Sequence, residues 1–115
     1  MSGQDLVNAL REQRIKLVDC VTAMKEAGRE YAKAEYAYKI ALRKEIFYLH
    51  EEKGVAWTAC TALAHGEDGE NKVAYKRYLR DAAKVIYETA IEAINACKLE
   101  IRLLENEIKE ERGIS

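Results

Sequence analysis

The chain contains no proline, and only six of its 115 residues are glycine. Proline costs roughly 3 kcal/mol inside a helix, so its absence leaves glycine as the strongest helix breaker present. No apolar run approaches the roughly 20 residues that cross a bilayer. The N-terminus MSGQDLVNAL lacks the basic and apolar regions of a secretory signal. We therefore expect a helical, cytoplasmic protein with no membrane partner.

Residue types that carry catalysis are scarce or badly spaced. Serine occurs only twice, in no recognisable nucleophile elbow, and GEDGEN lacks the spacing and the lysine of a phosphate-binding loop. The cysteines Cys20, Cys60 and Cys97 are odd in number and too far apart for a zinc motif, so reduced thiols are expected. His50 and His65 stand in no metal-ligand spacing. We expect no enzyme activity, no cofactor and no metal site.

Glycine marks where the chain turns. Gly54, Gly66 and Gly69 bracket or close the stretch VAWTACTALAHGEDG, and the segments on either side carry apolar residues at alternating steps of three and four. Helices joined by a short connection pack antiparallel. The sequence thus predicts an all-α fold, a long antiparallel helical hairpin or coiled coil with a short apical helix. Its predicted parts, within a single domain over 1–115, are a helix over 4–53, an apical insert over 55–69 and a helix over 70–112.

The predicted hairpin has a register and a surplus of apolar residues. The register sets Cys20 beside Cys97, both reduced and largely buried. On the apolar stripe of the first helix, Glu35 needs a cation, for which Lys39 and Lys84 are the candidates. One seam between two helices cannot cover every apolar position. We therefore expect a homodimer that forms a four-helix bundle, burying the flanking residues Ile40, Ile46, Val85 and Ile91.

Cations of both long helices gather into one band in this register, with tyrosines interleaved. Such a band is typical of a surface that contacts nucleic acid or an acidic protein, and the net charge of −1 favours the protein. The only tryptophan, Trp57, is interpreted either as a plug at the end of the core or as an exposed anchor for a partner. The candidate partner-binding residues are Lys39, Arg43, Lys44, Lys76, Arg77, Arg80, Lys84, Tyr36, Tyr78 and Trp57.

Four stretches of the chain, YAKAEYAYK, LAHG, YLRDAAKVIYE and CKLEIRLLENEI, resemble a group of small helical-hairpin proteins carried by phages and prophages of Gram-positive bacteria. The resemblance extends over about residues 28–112 and consists largely of helical pattern. It implies a viral accessory protein in the cytosol of the host cell. It brings no settled activity and no site residues with it.

Three functions are compatible with this pattern. The favoured prediction is a non-enzymatic module that binds a host or phage protein, for instance an inhibitor of a host defence complex such as a CRISPR effector. The second is an accessory factor of phage DNA replication or recombination that contacts nucleic acid through the basic band. The third is a purely structural coiled-coil dimer.

Overall fold

The computed structural model describes residues 2–66 and 72–113, and these residues contain three helices and no strand. The helices are α1 (Gly3–Glu51), α2 (Trp57–His65) and α3 (Val73–Glu111). The two long helices pack against each other, so the predicted all-α helical hairpin is confirmed. The homodimer stays a prediction. None of the described helices combines the length and the apolar character needed to cross a membrane.

The end of α1 shows why the chain turns where it does. Gly54 has a φ of 68°, in the left-handed region that favours glycine. This conformation reverses the chain, so that the N–H of Val55 donates to the carbonyl of Leu49 at 3.0 Å. The bond satisfies one of the carbonyls that a helix end leaves unpaired. The predicted start of the last helix, over residues 70 and 71, lies outside the described residues.

The chain divides into two compact units. Unit 1 is Met1–Glu26 together with Glu88–Ser115, and unit 2 is Ala27–Tyr87. Unit 1 contains the beginning of α1 and the end of α3. Unit 2 contains the rest of both long helices and all of α2, so it is built from three helices rather than two.

Unit 1 is a two-helix pair with a narrow buried seam. Its buried side chains include Leu6, Ile94, Cys97 and Leu104. The Sγ of Cys97 donates to the backbone carbonyl of Gln13 at 3.2 Å. This contact places Cys97 about two helical turns from the predicted neighbour, Cys20, which is only half-buried. The predicted proximity of Cys20 to Cys97 and the predicted burial of Cys20 were therefore wrong, whereas Cys97 is buried and all three cysteines are free thiols.

In unit 2, the start of α3 lies against α1 and not against its last turns. Val73, the first residue of α3, lines a groove with Ile40, Ala41 and Lys44 of α1. The last helix thus begins beside the middle forties of α1 and not beside its end. The final turns of α1 instead pack with α2, since Leu49 belongs to the same buried cluster as the α2 residues. The buried members of this cluster are Tyr38, Leu49, Cys60, Ala64 and Val73.

Candidate partner-binding surface

A polar cluster joins the three helices inside unit 2. The hydroxyl of Tyr38 is hydrogen-bonded to Nε2 of His65 at 2.7 Å, and the two rings are stacked with an interplanar angle of 15°. The guanidinium of Arg80 lies over the Tyr38 ring, 4.4 Å from its centroid. The same guanidinium donates two hydrogen bonds to Asp81, at 3.0 and 2.8 Å. Each helix of unit 2 therefore contributes a side chain to this cluster.

Charge in the cluster is set by its surroundings. Partial burial lowers the pKa of His65, and the nearby positive charges of Arg77 and Arg80 lower it further. The hydrogen bond to Asp81 raises the pKa of Arg80 above its ordinary value. At neutral pH the imidazole is thus neutral and the guanidinium charged. The Arg80 side chain is only 21% exposed, because it packs on Tyr38 within the unit.

Three rings, those of Phe47, His50 and Trp57, pack together at the start of α2 and form what we call the aromatic wall. The ring of Trp57 stacks on His50, with centroids 3.6 Å apart, and the Phe47 ring meets it edge to face. Nδ1 of His50 donates to the carbonyl of Val55 at 2.9 Å, which fixes the imidazole beneath the indole. Even so, Trp57 remains 51% exposed. The Trp57 side chain therefore does not fill the core. It forms part of the surface, and its contacts with His50 and Phe47 fix its position.

This wall borders a groove between α1 and α2, which we call the Trp57 groove. Its volume is about 320 Å³. It is lined by Lys39, Leu42, Arg43, Ile46, Phe47 and Trp57. The five α1 residues follow steps of three and one along the helix, which puts them on one face. Aliphatic, aromatic and cationic groups line the groove, and no carboxylate of residues 2–66 or 72–113 is among its lining residues.

A second groove lies between α1 and α3, and we call it the Val73 groove. Its volume is about 400 Å³. It is lined by Tyr36, Ala37, Ile40, Ala41, Lys44, Glu45, Val73 and Lys76. This groove also carries two lysines, and Glu45 is a third charged residue in its lining.

The ten predicted partner-binding residues all fall within unit 2, and the two grooves take six of them. The Trp57 groove takes Lys39, Arg43 and Trp57, whereas the Val73 groove takes Lys44, Lys76 and Tyr36. The others lie along α3: Arg77 near His65, Arg80 over Tyr38, the exposed Tyr78 in a tilted pair with Tyr75, and the exposed Lys84.

One sequence-based expectation about a side chain is confirmed, and four residues near the Trp57 groove were missed. Glu35 does pair with Lys39, whose Nζ lies 3.8 Å from its Oε1. The residues Leu42, Ile46, Phe47 and His50 were not singled out as site residues. The spacing of the first three was a readable signal, since it places them on the same face as Lys39. The His50 contact depends on the turn at Gly54 and had no such signal.

Metal-binding clusters are not part of this surface. Within residues 2–66 and 72–113, no group of three histidine, cysteine, aspartate or glutamate side chains is placed to hold a metal ion. Comparisons of the chain with protein-family models, curated proteins and solved structures give no match.

Proposed function

We propose that the protein is a non-enzymatic phage accessory protein that acts in the host cytosol by binding another protein, with inhibition of a host defence complex, in the manner of an anti-CRISPR protein, as its effect. The observation that supports this proposal is the Trp57 groove. Tryptophan and arginine are the residues most enriched at binding hot spots. Here a half-exposed Trp57 and an exposed Arg43 border one concave surface.

The held position of Trp57 supports binding over a purely structural role. Binding costs free energy when a mobile side chain becomes fixed, roughly 0.5–1.5 kcal/mol for a side chain with many rotamers. Trp57 is already stacked on His50, whose own ring is hydrogen-bonded to Val55. A partner that covers the indole therefore buries apolar surface without first having to order it.

The test of this proposal uses affinity capture from host lysate, identification of the captured protein, and reconstitution from purified components. Trp57→Ala should weaken the reconstituted complex by at least about tenfold, a common effect of truncating a hot-spot tryptophan. Ile86→Ala is a matched control, because Ile86 is an exposed apolar residue of the same unit that lies in neither groove. In a host with an active CRISPR system, the same Trp57 variant should lower the plating efficiency of a targeted phage.

The alternative, a nucleic-acid-binding accessory factor, is supported by the exposed tyrosines of the Val73 groove and of α3. Tyr36 and Tyr78 are 70% and 58% exposed, and Lys76 and Arg77 accompany them. Bases stack on such rings, and binding to phosphates weakens steeply with salt. Salt-sensitive retention of an oligonucleotide by the purified protein, lost on Arg77→Glu, would favour this function over protein binding.

The proposed homodimer is supported by apolar side chains that a two-helix pair leaves uncovered. In unit 1, Ile15, Val18, Leu99 and Leu103 are between 47% and 64% exposed. A second copy that covers these side chains would complete a four-helix bundle. Sedimentation equilibrium at micromolar concentration should give the dimer mass, and a monomer mass would refute this part of the proposal.

A further inference from the structure

We infer that the Trp57 groove receives one large apolar side chain from an acidic segment of the partner, with carboxylates on either side of that side chain contacting Lys39 and Arg43. The inference builds on the proposed function, because it names the chemistry of the partner segment. The experiment below can contradict this inference without contradicting the proposed function.

The interior of the groove fits an apolar side chain. Leu42 and Ile46 of α1 are half-buried and aliphatic, and Phe47 and Trp57 add aromatic surface. The volume of about 320 Å³ is at the lower limit of pockets that hold small ligands. A single leucine-sized or phenylalanine-sized group is therefore the scale of occupant that this groove suits.

The rim of the groove carries two positive charges, of which only that of Lys39 has an ion-pair partner among the described residues. Lys39 and Arg43 are four residues apart on one helix, so they lie on the same face, and both are exposed. Arg43 has no ion pair among the described residues. Lys39 pairs only with Glu35, at 3.8 Å with a largely exposed ammonium, and such pairs are worth about 1 kcal/mol or less. An incoming carboxylate can replace Glu35 at little cost.

The Val73 groove is less suited than the Trp57 groove to an acidic segment. It has two lysines, Lys44 and Lys76, but also Glu45, which would repel a carboxylate. Its aliphatic lining is extended by Ala37 and Ala41, and it has no tryptophan. Complementary charges mainly set specificity and the rate of encounter. An acidic segment should therefore distinguish the two grooves, and this difference provides an internal control.

The chain supplies its own reporter for the test, because Trp57 is its only tryptophan. The probe is an acetylated and amidated pentapeptide, Asp-Glu-Leu-Glu-Asp, which has no aromatic residue. Titrated into the full-length protein, it should change Trp57 emission saturably. Two matched peptides, one with alanine for leucine and one with the amides Asn and Gln for the acids, should each bind about tenfold more weakly.

Charge reversal in each groove tests where the peptide binds. Lys39→Glu with Arg43→Glu should weaken binding at least about tenfold, whereas Lys44→Glu with Lys76→Glu should change it less than about twofold. Far-UV circular dichroism and the emission of the peptide-free variants verify that both remain folded. Raising the salt concentration should weaken binding of the acidic peptide, as expected for exposed charges.

Several outcomes would overturn the inference. They are no saturable change in emission up to about 10 mM peptide, equal binding of the three peptides, and equal loss from both pairs of charge reversals. Emission that changes with protein dilution but not with peptide would instead identify a second copy as the occupant. If the peptide fails while a purified host partner still binds and still requires Trp57, the proposed function stands and only the chemistry assigned to the partner is wrong. If the peptide binds but no host partner is found, the chemistry assigned to the Trp57 groove stands and the proposed function is wrong.

Discussion

The two units of this chain differ in how completely they bury their apolar side chains. Unit 1 consists of two helices, and its most buried apolar residue, Leu6, retains 3% exposure. In unit 2 the short helix α2 adds Cys60 and Ala64, both at 0%, and Val73 falls to 1%. A third helix closes a side of the core that two helices leave open. Nine residues of α2 therefore account for the only fully enclosed part of the described chain.

Unit 2, which contains the third helix, also holds most of the residue types suited to recognition. Both histidines, the only tryptophan and the only phenylalanine lie between residues 27 and 87. Two of them, Trp57 and His65, are the first and last residues of α2. The ends of that helix thus supply the aromatic wall and the polar cluster. Unit 1 offers mainly apolar side chains and an exposed charged face, which suit self-association better than selective recognition.

The largest expected effect compares buried leucines in the two units. Leu49→Ala in unit 2 should lower the free energy of unfolding by about 3 kcal/mol, because the neighbours from three helices cannot collapse into the cavity. Leu104→Ala in unit 1 should cost about 2 kcal/mol, because a two-helix seam relaxes more easily. Urea denaturation followed by circular dichroism measures both.

A surface leucine controls this comparison. Leu63, in α2, is 49% exposed, and its change to alanine should alter stability by no more than about 0.5 kcal/mol. If Leu104→Ala proved as costly as Leu49→Ala, the seam of unit 1 would be as rigid as the three-helix core. The contrast between the two units would then be wrong.

The sequence was sufficient for the helices and insufficient for their register. Periodicity and the glycines near 54 and 66 located all three helices, because helix formation and termination depend on residues close in sequence. The packing of Cys97 against Gln13 joins two residues that are 84 apart in the sequence. No local pattern encodes that packing, so the predicted pairing with Cys20 failed.

The candidate site was predictable to a similar degree. The cations and Trp57 could be singled out by residue type, and the spacing from Lys39 to Phe47 already placed one face together. Which cations share a groove could not be read from the sequence. Arg80, for instance, was expected on an open band but lies over Tyr38 and bonds Asp81. That contact depends on the positions of two helices.

An intermediate effect tests the polar cluster of unit 2. Tyr38→Phe removes the hydroxyl bonded to His65 and leaves the imidazole nitrogen without that partner. The expected loss is about 1 kcal/mol of unfolding free energy. Tyr36→Phe is the matched control, because its ring is 70% exposed, and it should have no measurable effect. Equal stability of the two variants would show that the hydrogen bond contributes nothing.

A smaller effect concerns acid. The pKa of His65 in the folded chain lies below its ordinary value of 6.5, so the unfolded chain takes up a proton that the folded chain resists. The contribution of this residue to stability is complete above pH 6.5 and is lost as the pH falls below that value. His65→Gln should flatten this part of the curve. Urea midpoints measured by Trp57 emission between pH 7.5 and 5 test it, and parallel curves for the two proteins would contradict the shift.

The smallest effect compares one glycine in each unit. Alanine at Gly28 would place its Cβ 3.2 Å from the Tyr87 ring, whereas at Gly3 it would meet only the tip of the Glu111 side chain. Inside a helix, as at Gly28, alanine is favoured by about 1 kcal/mol over glycine. Gly3 is the first residue of α1, so its change to alanine should give a smaller gain. Displacement of the ring should reduce this gain at Gly28 to within about 0.5 kcal/mol of zero. A full gain there, measured by urea denaturation, would show that the ring moves freely.

The sequence separation of the contacts in each unit has a consequence for the order of folding. Gln13 and Cys97 are 84 residues apart along the chain, whereas Tyr38 and His65 are 27 apart. Closing the longer loop costs about 1 kcal/mol more conformational entropy, so the nearer contacts should form first. In refolding experiments, Trp57 emission should recover before Cys97 becomes protected from thiol reagents. On the ribosome, the first turns of α1 have to wait, unpaired, until the residues after Glu88 have been synthesised.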